Sequence, residues 1–279
     1  MGERIVLLTG ASSGIGREIA HLLVKKGDYP IVVARNKEAL EKLVKELGKG
    51  TAFSCDVTQE HEVNFLIERV IQQWGRVDVL INSAGFGQFG GLLEVPMSQF
   101  EKMMDTNYLG AVRMTRALLP HMERQGAGII INIASTAGLS GVPNLAAYVA
   151  SKFALIGFSE SIHLEYAPKI QIGVLCPGPV NTPFFAGESP ARLFPPLIVR
   201  HMIDAKQAAY HAVRLIDHPR IKVIPFPLAI AMRLRHLFPG FYRWFIKRLY
   251  DKHKSKMQSL PGTTSSLPHS TQEGHDSSS

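Results

Sequence analysis

The sequence predicts an α/β fold built on a parallel sheet of about seven strands, in a single domain with a C-terminal amphipathic extension. Three observations carry this expectation. Apolar runs of strand length alternate with longer segments of helical period. The strand runs are apolar throughout, as strands covered on both faces must be. A glycine-rich turn, Thr9-Gly10-Ala11-Ser12-Ser13-Gly14-Ile15-Gly16, stands between the first strand and the first helix. Together they describe a doubly wound, Rossmann-type sheet whose ligands bind at the carboxyl ends of its strands.

The elements follow in order. Residues 4–9 form the first strand, and 14–26 a helix with Ile15, Ile19, Leu22 and Leu23 on one face. A strand at 30–34 precedes a helix at 37–47 striped by Leu40, Leu43, Val44 and Leu47. A strand at 51–55 leads to a helix at 60–74, and 77–82 is a further buried strand. Strands at 128–134 and 170–176 flank a long helix at 146–167, and a short strand lies at 221–224. The expected divisions are a catalytic domain at 1–226, a basic amphipathic extension at 227–258 and a disordered tail at 259–279. From Pro261 onward the chain is rich in Ser, Thr, Gly and Pro and has little to bury. Residues 182–203 carry four prolines among several Phe, Leu and Ile side chains, which suits a lid over an apolar pocket.

Composition excludes several function classes. Two cysteines, Cys55 and Cys176, make no disulfide framework, and no Cys/His cluster has metal-ligand spacing, so no metal is expected. No uncharged apolar stretch is long enough to span a membrane, and a cytoplasmic location is expected. The net charge of +8 is concentrated in residues 227–258, where eight basic residues face Asp251 alone. Large apolar groups interleave with those cations, so nucleic acid is not an expected partner. Two readings of this extension stand side by side. It lies peripherally on an anionic membrane, or it folds over the substrate mouth or into a subunit interface.

The glycine turn is a candidate phosphate cradle. Gly10 permits the tight turn, Gly14 and Gly16 let an anion approach the backbone, and Ser12, Ser13 and Ile15 complete the site. The second strand ends in Ala34-Arg35, where an NAD site would place a carboxylate for the ribose hydroxyls. Arg35 can instead pair with a 2′-phosphate, which favours NADP(H) over NAD(H). The alternative is a solvated surface arginine.

Tyr148 and Lys152 stand four apart on one helix face, and Ser135 ends a strand thirteen positions before Tyr148. A lysine ammonium beside a phenol, helped by oxidised nicotinamide, favours phenolate, so the Tyr148 pKa is expected to be drawn down toward working pH.

In these residues and in the motifs around them, the chain closely resembles the short-chain dehydrogenase/reductase family. The resemblance runs from Arg4 to Ile224 and rests on TGASSGIG at 9–16, Asp56-Val57, NSAG at 82–85 and Asn107 in NYLG. Ser135 in IASTAG, YVASK at 148–152 and PGPVNT at 177–182 complete it. It implies that Tyr148 is the general acid/base, that Ser135 hydrogen-bonds the substrate oxygen and that Lys152 binds the nicotinamide ribose and tunes Tyr148. It further implies that Asn107 holds a water on the proton path and that Asp56 and Val57 flank the adenine. Asn82 and Ala84 would line the nucleotide groove, and Pro177, Val180 and Thr182 its nicotinamide end. One departure is Ser83, where the family usually has a second Asn; that motif chiefly stabilises the sheet. Assembly as a homodimer or homotetramer, through helices near 107–124 and 146–167, is implied by resemblance alone.

The expected function is an NADP(H)-dependent interconversion of a carbonyl and a secondary alcohol on an apolar, lipid-like small molecule. The aromatic and Leu/Ile content of 184–203 and of the extension motivates the apolar part. The alternative is a non-catalytic nucleotide-sensing or scaffold protein, against which the complete catalytic set argues. An isomerase or dehydratase would need a larger C-terminal substrate domain than remains here.

Overall fold

The computed structural model describes residues 2–182, 184 and 193–258, the stretch 254–258 by backbone alone. In chain order the elements are β1 (Ile5–Thr9), α1 (Gly14–Lys26), β2 (Tyr29–Ala34), α2 (Lys37–Leu47), β3 (Thr51–Ser54), α3 (Glu60–Trp74) and β4 (Val79–Asn82). Then come α4 (Met97–Met104), a π-helical turn (Asp105–Leu109), α5 (Gly110–Gln125), β5 (Gly128–Ile133), a 3-10 turn (Thr136–Gly138) and α6 (Ala146–Tyr166). The remainder is β6 (Ile170–Pro177), β7 (Val180–Asn181), α7 (Pro196–Val199), β8 (Ile203–Asp204), α8 (Ala205–Asp217), β9 (Ile221–Ile224), α9 (Phe226–Leu237) and α10 (Pro239–Gln258).

The central sheet has seven parallel strands in the order β3-β2-β1-β4-β5-β6-β9, with β7 and β8 forming a separate parallel pair. Successive β1 side chains enter opposite cores. Val6 and Leu8 pack with Ile19, Leu23 and Ala212 of α1 and α8, while Leu7 packs with Leu66, Val70 and Met114 of α3 and α5. The strand must therefore be apolar at every position. Truncating Leu7, which has no solvent exposure, to Ala would cost roughly 2–5 kcal/mol.

Local chemistry ends the helices where the sequence suggests. Asn36 caps α2 by accepting from the Ala39 N–H at 3.0 Å, and left-handed Gly48 closes it. Asp204 caps α8 through the Gln207 N–H at 2.6 Å. Asp78 accepts from the Ile5 N–H at 2.7 Å and so ties the start of β4 to β1.

Strand order reverses between β1 and β4, which opens a crevice at their carboxyl ends. The seven strands of the central sheet are those expected, with ends shifted by one or two residues (β3 stops at Ser54 and β4 starts at Val79), while the pair β7–β8 was not expected. Helices α4 and α8 stand where periodicity marked none. In α8 the buried stripe begins with Ala208, Ala209 and Ala212, residues too small to print a strong pattern. Between α4 and α5 the π-helical turn shifts the phase, and Pro120 lies inside α5.

The lid expected at 182–203 is described only at Thr182, Phe184 and 193–203; α7 and β8 lie in that part, and 183 and 185–192 are outside the described residues. The tail at 259–279 is likewise outside them. No helix among the described residues is long and apolar enough to cross a membrane. Cys55 and Cys176 are buried free thiols.

Candidate active site

One cavity of about 1050 Å³ opens at the carboxyl ends of the strands. Its first wall is the glycine turn. Gly10 has φ +68°, and a Cβ there would sit 2.7 Å from the Ala84 backbone, so the turn closes against the start of the β4 loop only without a side chain. Gly14 has φ +54°, and a Cβ there would meet only the Thr182 side chain, at 3.5 Å, which leaves backbone open to the cavity. No acidic residue occupies the first turn of α1, and the Ser13 hydroxyl makes no capping bond. The positive end of that helix is therefore uncompensated by the protein's own groups, as an anion site requires.

Thr9 fixes this wall, a role that sequence reasoning passed over. Its Oγ1 accepts from the N–H groups of Ser83 at 3.1 Å and Ala84 at 3.2 Å and donates to the Ile81 carbonyl at 3.4 Å. Its place at the last position of an otherwise apolar strand was the available signal.

Arg35 lines the cavity past the end of β2, and among the described residues its guanidinium has no hydrogen-bond or ion-pair partner. Cys55, Asp56 and Val57 lie on the same side. Asp56 Oδ1 accepts from the Thr58 N–H at 3.0 Å and its hydroxyl at 2.9 Å, which holds the loop in place. Ser12, Ser13, Ile15, Gly16, Ala84, Pro177, Val180 and Thr182 all line the cavity as expected.

Asn82 does not. Its Nδ2 donates to Asn132 Oδ1 at 2.8 Å, and Asn132 donates in turn to Ser159 Oγ at 2.8 Å. At the end of β4 its side chain faces helices α5 and α6 rather than the crevice, so its place in the groove is corrected to a buried strut between strands. Asn132 and Ser159 were legible only as polar residues inside apolar runs.

Ser135, Tyr148 and Lys152 meet at the centre of the cavity, 9%, 7% and 4% exposed. The Ser135 hydroxyl neighbours that of Tyr148 and donates to the Pro177 carbonyl at 3.4 Å. Ser135 Oγ also accepts from the Ala137 N–H at 3.1 Å, the cap of the 3-10 turn. Lys152 Nζ donates to the Ile133 carbonyl at 2.9 Å and stands 5.8 Å from the Tyr148 ring centre. Phe184 packs edge-on against Tyr148, with ring centres 5.4 Å apart.

Asn107 is buried in the π-helical turn outside the cavity wall. Its Oδ1 accepts from the Phe86 N–H at 2.9 Å, and its Nδ2 donates to the Phe86 carbonyl at 2.9 Å and Ser151 Oγ at 3.0 Å. Ser151 Oγ donates to the Tyr148 carbonyl at 2.8 Å, so Asn107 is linked to the catalytic helix through a residue that sequence reasoning missed. Both its amide hydrogens are spent, so a water held here would take the main chain rather than the carboxamide donors.

Burial dominates the electrostatics of the protein's own groups here. Burial pushes the Tyr148 phenol up to about 12; Ser135 opposes the rise in part and Cys176 adds to it. Burial also draws Lys152 down to about 8, because desolvation disfavours its ammonium. Cys176, buried beneath this cluster, is pushed up to about 12 by the same cause and is an inert thiol. The expected depression of Tyr148 by Lys152 is thus not produced by the protein's own groups.

Beyond Tyr148 the cavity becomes apolar. Leu145, Phe184, Phe194, Leu228 and Met232 line it, and α10 adds Phe241, Phe245 and Leu249. Arg235 on α9 donates to the Leu139 carbonyl, just after the 3-10 turn. The inner face of the extension is therefore a wall of the cavity, as the reading that folds it over the substrate mouth expects.

Comparisons with known proteins agree with this architecture. A family model described as short chain dehydrogenase matches residues 4–192. A 3-ketodihydrosphingosine reductase of Bacteroides thetaiotaomicron is 41% identical over 186 residues, which span 66% of this chain and 66% of the relative's own length. Among solved structures, a short-chain dehydrogenase from Streptomyces avermitilis superposes with TM-score 0.75 at 31% identity, covering 93% of this chain and 99% of that one. An actinorhodin polyketide ketoreductase variant with NADPH superposes with TM-score 0.73 at 32% identity, over 80% and 95% of the two chains.

Proposed function

Because the chain belongs to the short-chain dehydrogenase/reductase family and is an oxidoreductase acting on CH-OH or keto groups, we propose that it interconverts an apolar, lipid-like ketone and its secondary alcohol with NADP(H). The observation that carries this reading is the Ser135–Tyr148–Lys152 cluster, placed between a phosphate cradle and an apolar chamber of one cavity.

The residues present fit a nicotinamide dinucleotide. The open backbone at Gly14 and the uncompensated start of α1 suit a pyrophosphate, and the unpartnered Arg35 suits a 2′-phosphate. When bound, the dinucleotide supplies or accepts the hydride at the substrate carbon. In reduction Tyr148 hands its phenolic proton to the substrate oxygen, and in oxidation it takes that proton back. Ser135 donates to the same oxygen and stabilises the charge that grows there. Lys152, anchored on the Ile133 carbonyl, keeps its ammonium beside Tyr148 and favours the phenolate that reduction leaves behind. Asn107 braces the helix that carries both, and its main chain is the candidate holder of a water on the proton path.

The substrate class follows from the chamber beyond Tyr148, whose walls are aromatic and aliphatic. The Bacteroides relative is named for a sphingoid ketone, which agrees with a long apolar substrate. Assembly as a dimer or tetramer would use the outer faces of α5 and α6, where Leu164 is 84% exposed.

The test is nucleotide consumption with ketones of increasing alkyl length, run in parallel with NADPH and NADH. The expected result is a kcat/KM that rises with chain length and is larger with NADPH. Activity confined to short polar carbonyls would overturn the substrate class, and equal use of both nucleotides would overturn the cofactor preference.

A further inference from the structure

The helices that wall the substrate chamber turn an apolar, basic surface outward. Leu234, Phe238, Phe241 and Phe245 line the cavity and yet are 41–66% exposed, so they form the rim of its mouth. Farther from the cavity the apolar surface continues through Phe226, Leu237 and Trp244, with Leu237 at 70% and Trp244 at 55% exposed. Phe241 stacks near Phe245 and Trp244, their ring centres 6.4 and 5.8 Å away, and the Arg248 guanidinium lies 5.6 Å over the Trp244 ring.

Charge selects the partner of this surface. Arg233, Arg243, Lys247, Arg248 and Lys252 are all exposed on α9 and α10, while Asp251 is the single acidic residue of residues 226–258. Cations beside exposed Trp, Phe and Leu suit a boundary where anionic head groups meet acyl chains. A polar protein surface would leave those aromatics wet. No described helix is long and apolar enough to span a membrane, so the contact would be one of lying on the surface.

The geometry points to an anionic lipid bilayer as the partner of the α9–α10 face, with the cavity mouth opening onto that bilayer. An apolar ketone would then pass from acyl chains across the Phe238–Phe241–Phe245 rim to Tyr148 without crossing bulk water. This inference rests on the proposed apolar substrate for its purpose, though not for the binding itself.

Co-sedimentation of the full chain with vesicles of phosphatidylcholine containing about 30% phosphatidylglycerol tests it. The expected result is binding to these vesicles at least about tenfold stronger than to pure phosphatidylcholine and weakened by salt. Leu237→Glu/Trp244→Glu, and separately Arg243→Glu/Lys247→Glu, should each lose at least about tenfold of that binding. None of these four residues lines the cavity, so turnover of a short soluble ketone should stay at the level of the unsubstituted protein and report an intact fold.

A full chain that stays in the supernatant with anionic vesicles overturns the proposal, as does equal binding to neutral ones. So does a dimer in size-exclusion chromatography that the Leu237/Trp244 variant splits, since a second copy would then cover the face. Failure of the substrate reading looks different: the protein would bind anionic vesicles and turn over no apolar ketone offered in them.

Discussion

The two ends of the cavity are built by different means. At the proposed nucleotide end, the wall is made of main chain: a turn closed by Gly10, amides at the start of α1 and the Thr9 hydroxyl pinning the β4 loop. Among the described residues there, Arg35 contributes the long charged side chain. At the substrate end, recognition comes from side chains on short or late elements, above all α9 and α10. Backbone cradles accept one anion geometry and tolerate little change, because a Cβ at Gly10 already collides with backbone. Side-chain walls can be resized one residue at a time. Within one fold the cofactor end is thus rigidly specified and the substrate end is adjustable.

That contrast can be broken, most forcefully at the junction. Tyr148→Phe removes the proton donor without changing shape, and kcat/KM for ketone reduction should fall about 10²–10⁴-fold. The NADPH dissociation constant, measured by fluorescence titration, should stay within about twofold; a large change would mean that Tyr148 belongs to the nucleotide end. Arg35→Ala should raise the KM for NADPH about tenfold or more and leave that for NADH in place, as loss of a charge-assisted bond predicts. Movement of the ketone KM instead would dissolve the division of labour.

The third test is pH. Lys152, drawn down to about 8, is charged below that value and neutral above it, while Tyr148 stays protonated until about 12. Reduction needs both protons in place, so kcat/KM should be flat below about pH 8 and fall about tenfold per unit above it. A rise with pH over the same range would show that phenolate, not phenol, limits the reaction. The smallest effect belongs to the adjustable end. Phe238→Ala, on the half-exposed rim, should raise the KM for a long-chain ketone by about three- to tenfold and leave the nucleotide untouched.

The sheet was legible because its inner strands, β1 above all, are buried on both sides, which leaves apolar runs such as residues 4–9 with no competing reading. Helix α8 was not, since alanines bury as well as leucines while marking periodicity poorly. The cluster of Ser135, Tyr148 and Lys152 was legible from spacing and motif; its electrostatics were not. Spacing places an ammonium near a phenol but is blind to how deeply both are buried, and burial decides the direction of both shifts. Asn82 is the converse lesson: a residue in a motif that borders the groove turned its side chain to the opposite side of the strand, into the bond with Asn132. The extension's helices could be read from their stripe, though an amphipathic stripe is the same whether it covers a protein cavity, a neighbouring subunit or a lipid surface.

The bond from Arg235 to the Leu139 carbonyl joins the outermost layer of the molecule to its chemical centre. Leu139 closes the 3-10 turn that begins at Ser135, and that turn is held by the Ser135 hydroxyl itself. The α9 wall and the turn that Ser135 caps therefore share a link at the Leu139 main chain. A substitution at Arg235 should therefore be felt at Ser135 as well as along the outer wall.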